Sequence, residues 1–526
     1  MTPLPRLVVA APASGHGKTT VATGLMAALR AAGHTVSGHK VGPDYIDPGY
    51  HALATGRPGR NLDAHLVGTD LLAPLLAHGA RGADVAIVEG VMGLYDGMLG
   101  TDGFASTAHT AAVLGAPVIL VVDVSHASRS VAAVVHGMAT FDRSVRIAGV
   151  ILNKAGSVRH SDEVAEALAA TGVPVLGVLQ RDDGISAPSR HLGLVPAQER
   201  AEAAAQLDRL AAQIAARVDL AEVMRIACAA PDLPASPWDP GAPADDGPVV
   251  AIAGGRAFTF RYAETEEMLR AAGCRTVVFD PLRDERLPDG TAGIYLGGGF
   301  PEVHAADLAA NTALREHLRA AITAGTPTVA ECAGLLYLCR EVDGAPMIGA
   351  IDAAARMTPR LTLGYRTAVA PRETLLAPAG TRVTGHEFHR TTVDSTDEPA
   401  WLLGGRPDGF ASATVHASYL HTHWAGHPAL AQRFADAVRA ATPVPPPPRT
   451  TRAAAPDLQH HGDREATPGL VDLAVNVSRR PRPEWPDAAL AGSLAELDRY
   501  PDPRAAGAAL AARPGRGPPG GLAPAR

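Results

Sequence analysis

Residues 7–20, LVVAAPASGHGKTT, constrain this chain more than any other stretch. An apolar, β-branched start breaks at Pro12, the small segment Ser14, Gly15, His16 and Gly17 follows, and Lys18, Thr19 and Thr20 open an Ala/Leu-rich helical pattern. A nucleotide phosphate asks for strand, loop and helix in this order. Small residues let backbone N–H groups close on phosphate oxygens, and the helix N-terminus adds positive dipole. Lys18 then reaches the β- and γ-phosphates of ATP and Thr19 ligates Mg²⁺. Pro12 stands where the first glycine of the usual signature falls, and an ordinary βα turn would also be rich in small residues. Lysine usage favours the phosphate loop. The chain has only Lys18, Lys40 and Lys154, with arginine at its other basic positions. Lysine is kept where a compact point charge, not a planar fork, is wanted.

At 526 residues the chain calls for two substantial domains and a smaller piece. A net charge of -7 with scattered arginines argues against nucleic acid as a partner. No basic leader with an apolar run opens the chain and its apolar runs are strand-length, which argues against a membrane and for the cytoplasm. Cys228, Cys274, Cys332 and Cys339 lack metal-ligand spacing, and no disulfide framework is expected.

The first half alternates strand and helix. A helix over 21–32 ends at Gly33, and strands are expected at 35–41, 84–88, 117–124, 147–152 and 173–179. This alternation predicts a doubly wound parallel α/β sheet, whose ligands bind beyond the carboxyl ends of the strands. Asp44 and Asp47 follow the second strand, Glu89 closes the third, and Asp96 lies in the loop beyond it. Any one of them alone reads as a helix cap or a solvated loop residue. Together they read as the carboxylates that Mg²⁺ needs beside a nucleotide, with Thr19, Asp44 and Glu89 as the metal set. Asn153 closes its strand at a position suited to an adenine contact. A closing helix over 198–218 and an aperiodic linker over 231–247 end this half.

The second half carries different chemistry. Strands at 248–253, 276–279 and 293–296 lead into Gly297, Gly298 and Gly299, and a strand at 326–330 leads into Glu331, Cys332 and Ala333. The backbone N–H groups of Gly298, Gly299 and Ala333 are candidates for an oxyanion hole. Cys332 falls at a strand-to-helix elbow that exposes a nucleophile, where a helix N-terminus is expected to lower the thiol pKa. Histidines concentrate late, at His386, His389, His416, His421, His423 and His427. His421 is the candidate base, with His423 as a competitor on the same strand face. A cysteine with a histidine on an α/β scaffold suggests acyl transfer.

The motifs APASGHGKTT, KVGPDYIDPGYH, NLDAHL, VEGVMGLYDG, SRHLGLVPAQE, GGGFPE, AECAGLLYL, MTPRLTLGYR, HEFHRT and SYLHTHW run in order through residues 6–441. Taken together they resemble the cobyrinic acid and hydrogenobyrinic acid a,c-diamide synthase family of the cobalamin pathway. The resemblance implies a glutamine-dependent ligase with a dethiobiotin-synthetase-like ATP domain over 1–230 and a class I glutaminase domain over 248–441. It implies L-glutamine and a corrinoid as substrates and ATP with Mg²⁺ as cofactors, and leaves a homodimer open. Cys332 would attack the glutamine amide and His421 would activate it. The released ammonia would displace phosphate from acyl phosphates of the a and c carboxylates, near Asp44, Asp47, Glu89 and Asp96. The usual third carboxylate of the glutaminase triad is missing after His421, as in the family. The rivals are cobyric acid synthase, nickel-sirohydrochlorin a,c-diamide synthase, a partner-binding switch ATPase and an interaction module with a dead glutaminase. SRHLGLVPAQE and the single acidic turn after Lys40 favour the a,c-diamide reading. A Pro-rich linker over 442–458 precedes a tail over 459–526 that resembles the start of threonine-phosphate decarboxylase. No lysine follows Lys154, so the tail lacks the Schiff-base residue that such chemistry needs.

Overall fold

The strongly apolar runs of the first half become strands with helices on both faces, as their two-sided burial requires. The computed structural model describes residues 3–181, 189–190, 193–194, 203–243, 246–394 and 397–445, with the single positions 488 and 491. Its first sheet contains β1 (Arg6–Ala10), β2 (Val36–Val41), β3 (Arg60–Leu62), β4 (Val85–Glu89), β5 (Val118–Asp123), β6 (Ile147–Ala155) and β7 (Val175–Gln180). These run parallel in the order β3-β2-β4-β1-β5-β6-β7. Helix α1 (Lys18–Ala31) begins three residues earlier than its apolar periodicity suggests, because Gly17 takes the left-handed conformation (φ 86°) directly before it. The expected closing helix is present at Ala203–Arg217. It lies so close to α1 that a Cβ at Gly24 would sit 2.7 Å from Ile214.

The second half places Arg275–Phe279, Val249–Ala253, Thr291–Leu296, Thr328–Glu331 and Val415–Ser418 side by side in parallel, with Phe410–Ala411 antiparallel at the edge. Beside this sheet stands one that the sequence reading did not anticipate, built on the antiparallel pair Ala354–Val369 and Arg382–Val393. Its strands lack apolar runs: Ala354–Val369 is mostly exposed or half-exposed, while Arg382–Val393 is partly buried without a continuous apolar stretch.

Buried polar contacts join the halves. Arg60 pairs with Glu264 at 2.6 Å and Glu267 at 2.5 Å, His78 meets Glu267 at 2.9 Å, and the Tyr365 hydroxyl donates to Asp63 at 2.7 Å. Gly426 passes so near Leu66 that a Cβ there would fall 2.2 Å from its carbonyl oxygen. The chain divides into the units Met1–Pro448 and Arg449–Arg526. In the second unit only Ala488 and Ala491 are described, so the decarboxylase-like tail lies outside the described residues. So does most of SRHLGLVPAQE, of which only the backbone pairing of Ser189–Arg190 with Gly193–Leu194 is seen.

Burial pushes the Glu267 carboxyl up, but hydrogen bonds from His78 and Arg60 outweigh it and bring it down to about 2. A depressed carboxyl pKa stabilises the fold above the unfolded value, and that stability is lost as pH falls through the folded one. The wild type is therefore expected to exceed Glu267→Gln in unfolding free energy at pH 6, with the difference shrinking from about pH 4.5 towards 2. Denaturant titrations at pH 6 and pH 3 check this, and an unchanged difference contradicts it.

Candidate active site

The phosphate loop is held from below by the ends of β5 and β6. Asn153 Nδ2 donates to His16 O at 2.9 Å, and Lys154 Nζ donates to Gly15 O at 2.8 Å and pairs with Asp123 at 2.7 Å. A Cβ on Gly17 would fall 2.2 Å from Asn153 Nδ2, so only glycine fits there. Asn153 thus braces the loop through its amide nitrogen, while its Oδ1 accepts the N–H of Lys154. Ser14 and Gly15 are exposed at the loop tip, and Thr20 is half-buried on the first turn of α1. Lys18 Nζ rests on Met92 O at 3.2 Å. Burial, and after it the Lys40 ammonium, pull its pKa down.

Behind the loop sits a buried charge cluster. Thr19 Oγ1 donates to Glu89 at 2.5 Å and lies 3.4 Å from Asp47. Lys40 Nζ lies between these carboxylates, 2.7 Å from Asp47 and 2.9 Å from Glu89. His51 Nε2 meets the other Glu89 oxygen at 2.7 Å. Burial works to raise the Glu89 pKa, but Lys40 and His51 turn the balance and lower it. Asp47 moves the other way, raised by burial and by Asp44. Asp44 uses Oδ1 to accept the N–H groups of Ile46 and Asp47 at the start of α2 (Asp47–Thr55), and its charge is felt at Lys18 and Lys40. Asp96 accepts the Gly93 N–H at 3.0 Å and shapes its own loop. The oxygen donors of Thr19, Glu89 and Asp47 suit a hard cation. Among the described residues no group of three or more His, Cys, Asp or Glu is disposed to hold a metal. Mg²⁺ is compatible with that, since it is held by one or two carboxylates together with substrate phosphates.

In the second half, Cys332 occupies a strained elbow (φ 49°, ψ −97°) between Thr328–Glu331 and the helix Ala333–Leu338. Its N–H donates to Ser418 O at 2.7 Å, and the Gly334 N–H donates to Gly297 O at 3.0 Å, which gathers elbow, glycine loop and the segment leading to His421. The thiol is not activated at rest, contrary to the sequence expectation. Burial raises its pKa and Glu302 adds to this, while the Ala333 N–H opposes them with less effect. The Gly298 N–H already donates to Phe260 O at 2.9 Å, which leaves Gly299 and Ala333 as the oxyanion candidates.

His421 is buried, with Cε1 so close to Gly298 that a Cβ there would lie 2.6 Å away. It stacks on His386 at 5.0 Å and meets the Tyr45 ring at 5.1 Å. His421 and His423 do not share a strand, because Val415–Ser418 ends before them. His423 turns instead to Tyr262 at 4.2 Å and Glu264 at 3.6 Å, and burial lowers it to about 4.

Three features escaped the sequence reading. His51 lies four residues after Asp47 on α2, a spacing that places both on one face. Glu331 comes 3.6 Å from His421 Nδ1. A cavity of about 380 Å³ beside Leu335 and Tyr419 is lined by Arg360, Arg366, Arg406, Glu387 and Asp408. Burial pushes Glu387 up, yet bonds from His389, Arg406 and Arg366 hold it at about 2, while burial and then Glu387 push Asp408 to about 6.

Replacing Lys40 by methionine removes the ammonium between Asp47 and Glu89 and leaves the buried Asp47 without its ion-pair partner, a change that destabilises by about 3–5 kcal/mol. Denaturant unfolding of Lys40→Met is expected to show a loss of that size. A loss below about 1 kcal/mol contradicts the buried-pair account.

Residues 7–195 match the CobQ/CobB/MinD/ParA nucleotide binding domain, and residues 249–429 match the CobB/CobQ-like glutamine amidotransferase domain. Hydrogenobyrinate a,c-diamide synthase of Thermobifida fusca is 67% identical over 84% of this chain and 98% of its own length. The Streptomyces coelicolor protein of the same name is 56% identical, over 83% of this chain and 98% of its own. Cobyrinate a,c-diamide synthase of a Synechococcus strain is 42% identical, over 83% and 99%. With both catalytic halves matched in order and the relatives covered almost end to end, the chain belongs to the family of hydrogenobyrinate and cobyrinate a,c-diamide synthases.

Proposed function

We propose that the protein uses ATP and glutamine to amidate the a and c side-chain carboxylates of a corrinoid, with hydrogenobyrinic acid as the preferred substrate. The observation that carries this is the presence, in one compact unit, of a phosphate loop backed by acids and a cysteine elbow whose N–H bonds Ser418 at the end of the strand that leads to the buried His421. The metal-free corrinoid is preferred because the relatives named for it are 67% and 56% identical, against 42% for one named for cobyrinate.

A carboxylate is a poor electrophile until its oxygen becomes a leaving group, and phosphorylation by ATP makes it one. Lys18 and the loop N–H groups hold the phosphates and offset the charge that develops as the terminal phosphoryl group moves. Thr19 and Glu89, with Asp47 beside them, would hold Mg²⁺, whose charge neutralises the phosphate oxygens when it is bound. In the other half Cys332 attacks the glutamine amide, His421 takes the thiol proton and returns it to the departing nitrogen, and Gly299 and Ala333 N–H groups receive the oxyanion. The cavity with Arg360, Arg366, Glu387 and Asp408 offers both charge signs, and suits the carboxylate and ammonium of the glutamine head group. Ammonia then displaces phosphate from each acyl phosphate.

Mass spectrometry tests the assignment with hydrogenobyrinic and cobyrinic acids, ATP and glutamine. Wild type is expected to convert two carboxylates to amides, and Cys332→Ala to do so only when ammonia is supplied. An unchanged mass for both corrinoids while ATP is still consumed overturns the substrate. Glutamine turnover by Cys332→Ala removes that residue from its role.

A further inference from the structure

A histidine that accepts a thiol proton at one ring nitrogen needs its other N–H anchored, so that the tautomer and the ring angle are set before substrate arrives. His421 Nδ1 is buried and has no hydrogen-bond partner among the described residues. Among the described residues, the imidazole meets the rings of Tyr45 and His386, the Gly298 backbone and the carboxylate of Glu331. Glu331 Oε2 lies 3.6 Å from Nδ1. Glu331 is itself held firmly. The Tyr295 hydroxyl donates to Oε2 at 3.2 Å, Thr422 Oγ1 donates to Oε1 at 3.1 Å, and the Trp424 indole fixes Thr422 at 3.2 Å. His386 adds no charge, because burial and then His421 push its pKa well down. Resting catalytic hydrogen bonds are often longer than those in the substrate complex, so 3.6 Å is a distance that small ring movement can close.

We propose that Glu331, the residue directly before the nucleophile, is the positioning residue for His421 and takes the place of the carboxylate that related glutaminases carry after their histidine. The proposal rests on reading Cys332 as the glutaminase nucleophile. The Cys332 S–H proton passes to His421 Nε2 while the sulfur pair forms the bond to the amide carbon. The imidazolium so created donates Nδ1–H to Glu331. Its Nε2 proton then goes to the departing nitrogen, the C–N bond breaks, ammonia leaves and the thioester remains for water to hydrolyse to glutamate.

The test uses the full chain with corrinoid and ATP present, and follows glutamate release together with ammonia-dependent amidation. Glu331→Gln keeps the size of the side chain, and its amide can accept from one of the Tyr295 and Thr422 hydroxyls while donating to the other. It is expected to lower kcat for glutamine hydrolysis by about 10²–10⁴-fold, with KM for glutamine little changed. Ammonia-dependent amidation should persist, which reports an intact fold. Glu331→Asp keeps the charge and is expected to restore part of kcat. A kcat within about threefold of wild type overturns the proposal, and so does Glu331→Asp behaving as Glu331→Gln does. Should Glu331→Gln lose both activities, the Asp variant decides. Glutamine hydrolysis by Cys332→Ala sinks the underlying reading instead, independently of Glu331.

Discussion

A lysine ammonium enclosed by two carboxylates fixes the turn on which both halves of this protein meet. Buried charges persist only when paired, and Lys40 answers Asp47 and Glu89 at 2.7 and 2.9 Å. The pairing ties β2 to the end of β4 and to the first turn of α2, so the segment between β2 and α2 cannot drift. That segment carries Asp44 and Asp47 to the nucleotide side, and between them it carries Tyr45 to Phe260, Tyr262, His386 and His421. One short turn therefore touches the buried charge cluster behind the phosphate loop with its acids and His421 of the other half with its aromatic ring.

The two chemical centres are set differently. The phosphate loop is open at its tip and its lysine sits against a carbonyl oxygen. The thiol of Cys332 is buried, and burial with the nearby Glu302 raises its pKa, so it rests protonated. A centre built in this way is quiet on its own. Such quiescence suits a reaction whose product, ammonia, is wasted if nothing is ready to receive it.

Much of the fold was legible because buried parallel strands announce themselves as apolar runs, and the sites lie where such sheets place them. The phosphate loop, the acids after β2 and β4, and Cys332 at its elbow all followed from local pattern. What escaped depends on partners far apart in sequence. Lys40 stood out by rarity, but nothing local showed that it neutralises Glu89, 49 residues on. Glu331 adjoins Cys332 in the chain, yet its link to His421 arises only from the pairing of Thr328–Glu331 with Val415–Ser418. Gly298 looked free, but its N–H is used by Phe260, and the antiparallel sheet hid because Ala354–Val369 has neither an apolar run nor a regular alternation.

The scarcity of lysine has a chemical corollary. All three side-chain amines of the 526-residue chain serve the nucleotide half, with Lys40 sealed inside, Lys154 under the loop and Lys18 on it. Arginine carries every other basic side chain and does not acylate under mild conditions. Amine-directed reagents, whether metabolic acyl donors or laboratory labels, thus find their side-chain targets on the phosphate loop and just beneath it, at Lys18 and the part-exposed Lys154, and occupancy by a nucleotide would be written into the labelling of those two sites.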